Sequence, residues 1–335
     1  MLELLWRTAR PVAAPTPRRL LRTLMQSDTV KTLPGVHDGL SARTCEAAGF
    51  ECLLVGRQII GNTLLGMPDV DLVTIDQLAA AVARISAVVA VPLVVDAGGG
   101  SGTCAGAAHT VHVLEKAGAA AVCLDDDANA TDPGDRERRD PGGAMTQRLR
   151  AAARARTDPD LVLAVQCRAD SAHDIAALMR RCNAHVENGA EIIRLGGPLS
   201  RAALAEFASG LRAPCLMLDL DPLGGDEANR TLTRNDLSAM GYRFVCAETS
   251  VVQAAAHSMT AFAVDLRARG IAADRDLLTK LEGLPLEDWY RFTGFDAIRA
   301  MEERYLPALS LEKYARGPES YYKPAAHVAD EGETR

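Results

Sequence analysis

LVVDAGGGSG, residues 93–102, sets an apolar strand directly against a glycine break, with one acid, Asp96, at the junction. The run is short and rich in Val, which suits a strand buried on both faces. The stretch that follows, AAHTVHVLEKAG (107–118), has helical spacing and ends on Gly118, the residue type that best tolerates a left-handed cap. Strand, terminal acid and helix form one βα unit, and the unit recurs along the chain. Strands are expected at 31–35 (KTLPG), 51–56 (ECLLVG), 92–97 (PLVVDA), 120–125 (AAVCLD), 161–168 (LVLAVQCR), 191–195 (EIIRL), 214–219 (PCLMLD) and 242–247 (YRFVCA). Helical periodicity fills gaps between them, as at 74–89, 171–189 and 250–270. Eight such repeats in 335 residues predict an α/β chain folded as a closed (β/α)8 TIM barrel, with its chemistry at the C-terminal strand ends.

Composition agrees with that class. The chain is 48% hydrophobic but only 4% aromatic, so Ala, Val and Leu must fill the core, as they do where helices pack closely on parallel strands. A net charge of −7 without a sustained basic face makes nucleic acid and anionic membranes unexpected partners and favours a small molecule. The eight cysteines form no CxxC pair, which points to a reducing, cytoplasmic setting. No uncharged run approaches the roughly 18–20 apolar residues that span a bilayer. The start, MLELLWRTARPVAAPTPRR, carries charges and prolines where a signal peptide needs an unbroken apolar segment. It reads as a loose arm, assigned to residues 1–15; a single barrel domain with C-terminal helices then covers 16–306, and 307–335 form a tail.

The strand ends carry Asp38, Gly56-Arg57, Asp96, Asp125-Asp126-Asp127, Arg168 with Asp170, Arg194, Asp219 with Asp221, and Glu248. Charge recurring at one end of strand after strand predicts a polar functional mouth; individually, several of these residues are also explained by strands ending where polarity begins. The glycines of 98–102 do not read as a phosphate cradle, because neither Lys-Ser/Thr nor a dinucleotide pattern follows them.

A more specific likeness rests on short motifs in order: PGVHDGLSARTCEAAGFECLLVG, LLGMPDVDLVTIDQLAAAVARI, VPLVVDAGGGSG, TVHVLEKAGAAAVCLDDD, DPDLVLAVQCRADS, ENGAEIIRL, LSAMGYRFVCAETSVVQAAAHSM and PLEDWYRFTGFDAIRAMEERYL. Over about residues 31–306 the chain resembles the isocitrate lyase/phosphoenolpyruvate mutase superfamily, as a divergent, 2-methylisocitrate lyase-like member. The resemblance implies a barrel whose eighth helix packs on a neighbouring subunit, and hence a homo-oligomer, a dimer or a tetramer made of dimers. It implies cleavage or rearrangement of bonds beside a 2-oxo acid, with Mg2+ holding oxo and carboxylate oxygens while an enolate develops.

Residue by residue, the family pattern Asp-Ala-Asp-Thr-Gly-x-Gly falls on 96–102, so Asp96 is kept and the second acid is Gly98. With Asp125, which stands where the family has a Glu, and Asp69 of the Leu-Gly-x-Pro-Asp segment, Asp96 is the implied set for Mg2+. The family's substrate-binding Ser-Gly falls on Gly56-Arg57. Arg57 can grip a carboxylate or phosphate, can add positive charge beside a depleted metal site, or can turn outward into a salt bridge. Arg168 and Asp170 match Ala-Arg-Thr-Asp-Ala, whose Arg holds the substrate carboxylate. Arg194 and Asp219 complete the expected substrate contacts, and His37 is a candidate proton carrier.

Departures are equally definite. The loop ANATDPGDRERRDPGG (128–143) lacks the lyases' proton-donating Cys and the Lys-x-Asn-Ser of the phosphonopyruvate enzymes, and the family's Glu after strand six is Gly196. Three readings follow, with Arg168, Asp96, Arg57 and His37 as the catalytic candidates. The first is a carbon–carbon lyase or hydrolase acting through an enolate on a small 2-oxo or 2-hydroxy di- or tricarboxylate. The others are a phosphorus–carbon enzyme of the phosphonopyruvate kind, and an inactive barrel that binds a metabolite or partner.

Overall fold

The computed structural model describes residues 15–126, 143–169, 175–197, 199–219, 231–284, 286–308 and 310–311. All eight expected strands form: β1 (Lys31–Pro34), β2 (Leu53–Gly56), β3 (Leu93–Asp96), β4 (Ala121–Asp125), β5 (Val162–Arg168), β6 (Ile192–Gly196), β7 (Cys215–Asp219) and β8 (Tyr242–Ala247). They pair in parallel in the order β1-β8-β7-β6-β5-β4-β3-β2. A bridge between Gly35 and Leu54 brings β1 back to β2, so the sheet is a nearly closed barrel.

The helices run α1 (Pro17–Met25), α2 (Gly39–Ala47), α3 (Arg57–Ile60), α4 (Ile75–Ser86), α5 (Cys104–Ala117), α6 (Ala144–Ala155), α7 (Ile175–Glu187), α8 (Arg201–Gly210), α9 (Arg234–Met240), α10 (Ser250–Arg269), α11 (Ile271–Leu281), α12 (Trp289–Phe292) and α13 (Phe295–Tyr305). None is long and apolar enough to cross a membrane among the described residues. The described residues divide into two compact units, one ending at Ser258 and the other beginning at Met259.

Within the first unit the period-two alternation of the strands separates two cores. Val55, Val95, Val122, Leu163, Val165, Ile193, Leu195 and Leu218 face the helices. Leu33, Leu54, Val94, Cys123, Ala164, Ile192, Met217, Phe244 and Cys246 fill the barrel interior. Many interior side chains are Ala or Cys, which leaves room for a long residue among them.

The end of the stretch expected to be a loose arm is instead helical. Thr16 caps α1 by accepting from the Arg19 amide, and Pro17 opens it, where a missing N–H costs nothing. Leu21, Leu24 and Met25 of α1 belong to the interior core. Arg18 donates to the Ala119 and Glu115 carbonyls, and Arg22 to the Asp160 carbonyl and the Glu191 carboxylate, so α1 is tied to the segments that lead into β4, β5 and β6. It plugs the end of the barrel opposite the mouth.

Leu21 is fully buried in that plug. Leu21→Ala is expected to destabilise the protein by about 2–5 kcal/mol, read as a lower urea midpoint, because the cavity lies between α1 and strands that cannot close over it.

Candidate active site

Six of the eight barrel strands carry their last interior core residue two positions before a mouth residue: Leu54 before Gly56, Val94 before Asp96, Cys123 before Asp125, Ile192 before Arg194, Met217 before Asp219 and Cys246 before Glu248. The pleat therefore points all of these mouth residues toward the barrel axis.

Arg194 dominates the arrangement. Its side chain is 1% exposed; Nη1 donates to Asp96 Oδ2 (2.6 Å), and Nη2 to Asp219 Oδ2 (3.0 Å) and Glu248 Oε2 (2.6 Å). Burial opposes its charge, but the carboxylates of Asp219, Asp96 and Glu248 hold the guanidinium ionised well beyond its ordinary range. Burial likewise raises the Glu248 carboxyl above its usual value; Arg194 works against that rise and Asp96 adds to it. Glu248 fits only because Gly56 lacks a side chain, since a Cβ there would stand 2.1 Å from Glu248 Oε1.

A second arginine holds the neighbouring acids. Arg57 Nε donates to Asp69 Oδ2 (2.9 Å) and Nη2 to Asp71 Oδ1 (3.3 Å). The amides of Leu72 and Val73 donate to the other oxygen of Asp69. Burial alone would raise the Asp69 carboxyl, yet Arg57 and these amides bring it below the ordinary range. Arg57 thus stands in salt bridges with Asp69 and Asp71 while its stem crosses the glycine turn: a Cβ on Gly98 would lie 3.1 Å from Arg57 Cδ. Gly98 also has φ +57°, so any side chain there would be strained as well as crowded. Its amide donates to Asp96 Oδ1 (2.9 Å), and Arg148 Nη1 donates to the Gly99 carbonyl (2.9 Å), which fixes the turn from both sides.

Arg168 ends β5 in register with Gly196; a Cβ on Gly196 would meet Arg168 Cγ at 3.9 Å and Asp219 Cβ at 3.6 Å, ordinary van der Waals contacts. The Asp125 amide donates to the Gly98 carbonyl (2.8 Å). His37 follows β1, with Nε2 3.7 Å from Asp38 Oδ2 and its own amide on Ser41 Oγ. Asp170 and the loop of 128–142 lie outside the described residues. The structure thus joins Asp96, Arg194 and Asp219 in one network and Arg57 with Asp69 in another. The residue that received no role from sequence, Glu248, links Arg194 to Gly56; its one signal was its place after β8.

With this geometry in place, the profile of the phosphoenolpyruvate phosphomutase family matches residues 21–267. The chain belongs to that family. Among curated relatives, the oxaloacetate decarboxylase of Paraburkholderia xenovorans is 28% identical over 281 residues, spanning 82% of this chain and 93% of that protein. The 2-methylisocitrate lyase of Aeropyrum pernix is 30% identical over 272 residues, 79% of this chain and 84% of that protein. Among solved structures, a phosphonopyruvate hydrolase complexed with oxalate and Mg2+ shares the fold, at 23% identity and TM-score 0.74, covering 88% of this chain and 100% of that one.

Two of the three acids expected to hold Mg2+, Asp96 and Asp69, are already engaged and as they stand do not suit a divalent cation. Both oxygens of Asp96 and both of Asp69 already accept hydrogen bonds from the protein, one of each from an arginine. Among the described residues, one group of three potential ligands has its atoms within 4.8 Å of one another, and it lies elsewhere: Asp126, Cys167 and His185, all buried. There Arg181 Nε donates to Asp126 Oδ2 (2.7 Å), and His185 Nε2 stands 3.5 Å from the same oxygen, an ion-pair distance beyond an ordinary hydrogen bond.

Burial works against a charge on His185, but Asp126 and Cys167 beside it carry the imidazole up to about 9 from its ordinary 6.5. A raised folded value stabilises fully below the unfolded value and is lost as pH rises through the folded one. Stability is therefore expected to fall between pH 6.5 and about 9, and His185→Gln is expected to flatten that slope in urea unfolding measured across the range.

Proposed function

We propose that the barrel mouth catalyses carbon–carbon bond cleavage, as a lyase or hydrolase, in a small 2-oxo or 2-hydroxy di- or tricarboxylate. The observation that carries this reading is the pair of arginines Arg57 and Arg168 at the strand ends of a barrel whose relatives include an oxaloacetate decarboxylase and a 2-methylisocitrate lyase. Such a mouth suits a multiply charged carboxylate, because guanidinium groups pair with carboxylates through two parallel hydrogen bonds.

In this reading Arg168, at the end of β5 beside Gly196, binds the carboxylate next to the oxo group. When the carbon–carbon bond breaks, its electron pair passes into an enolate, and positive charge fixed nearby stabilises the oxygen that gains it. His37, oriented by Asp38, returns a proton to the enolate carbon. Asp170 is assigned a supporting role at the same carboxylate, as its motif implies. No step is routed through Mg2+, given the arginines on Asp96 and Asp69. A reducing, cytoplasmic setting accords with all eight cysteines being free thiols.

A homo-oligomer with exchanged C-terminal helices belongs to the same proposal. Its support is the second unit, where Ile271 is 68% exposed and Met259, Val264, Leu278 and Trp289 are exposed with it. Apolar surface of this kind is characteristic of subunit contacts. Light scattering is expected to give two or four times the 35.7 kDa chain mass, and a monomer at micromolar concentration would remove this part of the reading.

The test of activity incubates the purified protein with a pool of 2-oxo, 2-hydroxy and phosphono carboxylates, oxaloacetate among them, and follows every component by mass spectrometry. Loss of one carboxylate with a matching cleavage product is the expected result. Arg168→Ala should lower that turnover by about a hundredfold or more with an unchanged unfolding midpoint, since it removes a charge-assisted contact at a strand end. Turnover confined to a phosphonate would move the assignment to phosphorus–carbon chemistry, and none at all would favour a binding protein.

A further inference from the structure

We propose that two guanidinium groups supply in this mouth the positive charge that the family resemblance assigns to a divalent cation. Arg194 stands on Asp96 as a fixed counter-ion, and Arg57 faces the oxo and carboxylate oxygens of the substrate, so the site binds its ligand without Mg2+. The proposal rests on the mouth being a carboxylate site.

Four observations converge on it. Arg194 engages Asp96 from within the barrel, at 2.6 Å and 1% exposure, where bulk water does not weaken the pair. Arg57 engages Asp69, the second acid implied for the metal, at 2.9 Å. The third observation is the fit of Arg57 to Gly98: the position of the family's second acid is Gly98, and Arg57 Cδ lies 3.1 Å from where its Cβ would be. A side chain there would press on the stem of the residue that stands in place of a substrate-binding glycine, at a backbone φ of +57° that already disfavours one.

The fourth is the direction of the spare donors. Nε and Nη2 of Arg57 point at Asp69 and Asp71, whereas Nη1 donates to no acceptor among the described residues and lies 3.7 Å from the Gly98 Cβ position, over the turn. Two guanidiniums together carry the same charge as one Mg2+. They differ in form, since the charge reaches the ligand as N–H donors in a planar fork, held in place beforehand by Asp69 and Asp71. Arg194 is a positioning residue here, fixing Asp96, Asp219 and Glu248; Arg57 is the one that touches substrate.

The test uses the full chain stripped with chelator, with Mn2+ and oxalate as probes. Titration of Mn2+, followed by its electron paramagnetic resonance, should show no site tighter than about 1 mM in the wild type, whereas Arg57→Gln and Arg194→Gln should each tighten binding by about tenfold or more by releasing Asp69 or Asp96. Arg57→Gln, on the rim of the mouth, keeps the test decisive should Arg194→Gln fail to fold. Calorimetry of oxalate binding should give the same affinity in chelator and in Mg2+, within about twofold, and Arg57→Gln should weaken it by about tenfold. A wild-type Mn2+ site in the micromolar range, or oxalate binding that needs Mg2+, would overturn the proposal. Oxalate failing to bind under both conditions would count against the carboxylate site itself, and the Mn2+ titration would still decide whether arginine has displaced the metal.

Discussion

The mouth of this barrel is organised around one buried cation. Arg194 rises from the interior of β6 and meets carboxylates from the ends of β3, β7 and β8, so a single guanidinium ties four strands across the axis. Its length is accommodated by small neighbours: the Cys123 and Cys246 thiols lie in the same interior, where a larger pair of side chains would fill its path. Such a network is a poor way to gain stability, because the desolvation of each charge offsets most of the attraction, and apolar replacements of similar size often do as well. Removing the arginine alone is another matter. It would leave three acids crowded in a dry site, a change that typically costs about 3–5 kcal/mol. Once such a network exists, each of its members constrains the others, and its justification has to be sought in what the mouth binds.

The second arginine follows the same logic on the rim. Arg57 follows Gly56 directly, and the two positions act together: the missing side chain at Gly56 makes space for Glu248, while Arg57 spreads over Gly98. Gly98, Asp96 and Arg57 form a consistent set, since the turn that places the Gly98 amide on Asp96 also clears the surface that the arginine crosses. The departures at Arg57 and Gly98 are thus coupled through contact, around an Asp96 that is kept.

Much of this was legible in the sequence, and the boundary has physical causes. The eight strands announced themselves because strands buried on both faces are continuous apolar runs, and the acid or arginine at each end marks where burial stops. Parity along EIIRL puts Arg194 on the same face as Ile192, and only the folded barrel shows that face to be the interior. Its partners were not readable, because Asp96, Asp219 and Glu248 lie 98, 25 and 54 positions away and only the closed register brings them together. Glu248 was visible as one more charge at a strand end, with nothing local to single it out. Helix α1 escaped notice for a different reason: it is nine residues long and follows a proline-rich stretch, and Leu21, Leu24 and Met25 acquire a meaning only when a barrel end needs closing.

Exchanging a metal ion for guanidinium groups changes what a site can select. Mg2+ asks for near-octahedral oxygen donors and keeps several waters, which reorganise as charge develops. A guanidinium held by Asp69 and Asp71 offers N–H groups in fixed directions, so it discriminates by the geometry of the oxygens it meets. Its occupancy does not depend on the supply of any ion. The cost is polarising power, because one positive charge spread over three nitrogens draws less electron density than a compact dication. A site built this way therefore suits reactions whose leaving group or substrate already favours enolate formation, as the loss of carbon dioxide from a 2-oxo acid with a 3-carboxylate does. Cleavage of an unactivated carbon–carbon bond in a bulkier acid would demand more, and Gly196, where a polar anchor for such an acid is missing, points the same way.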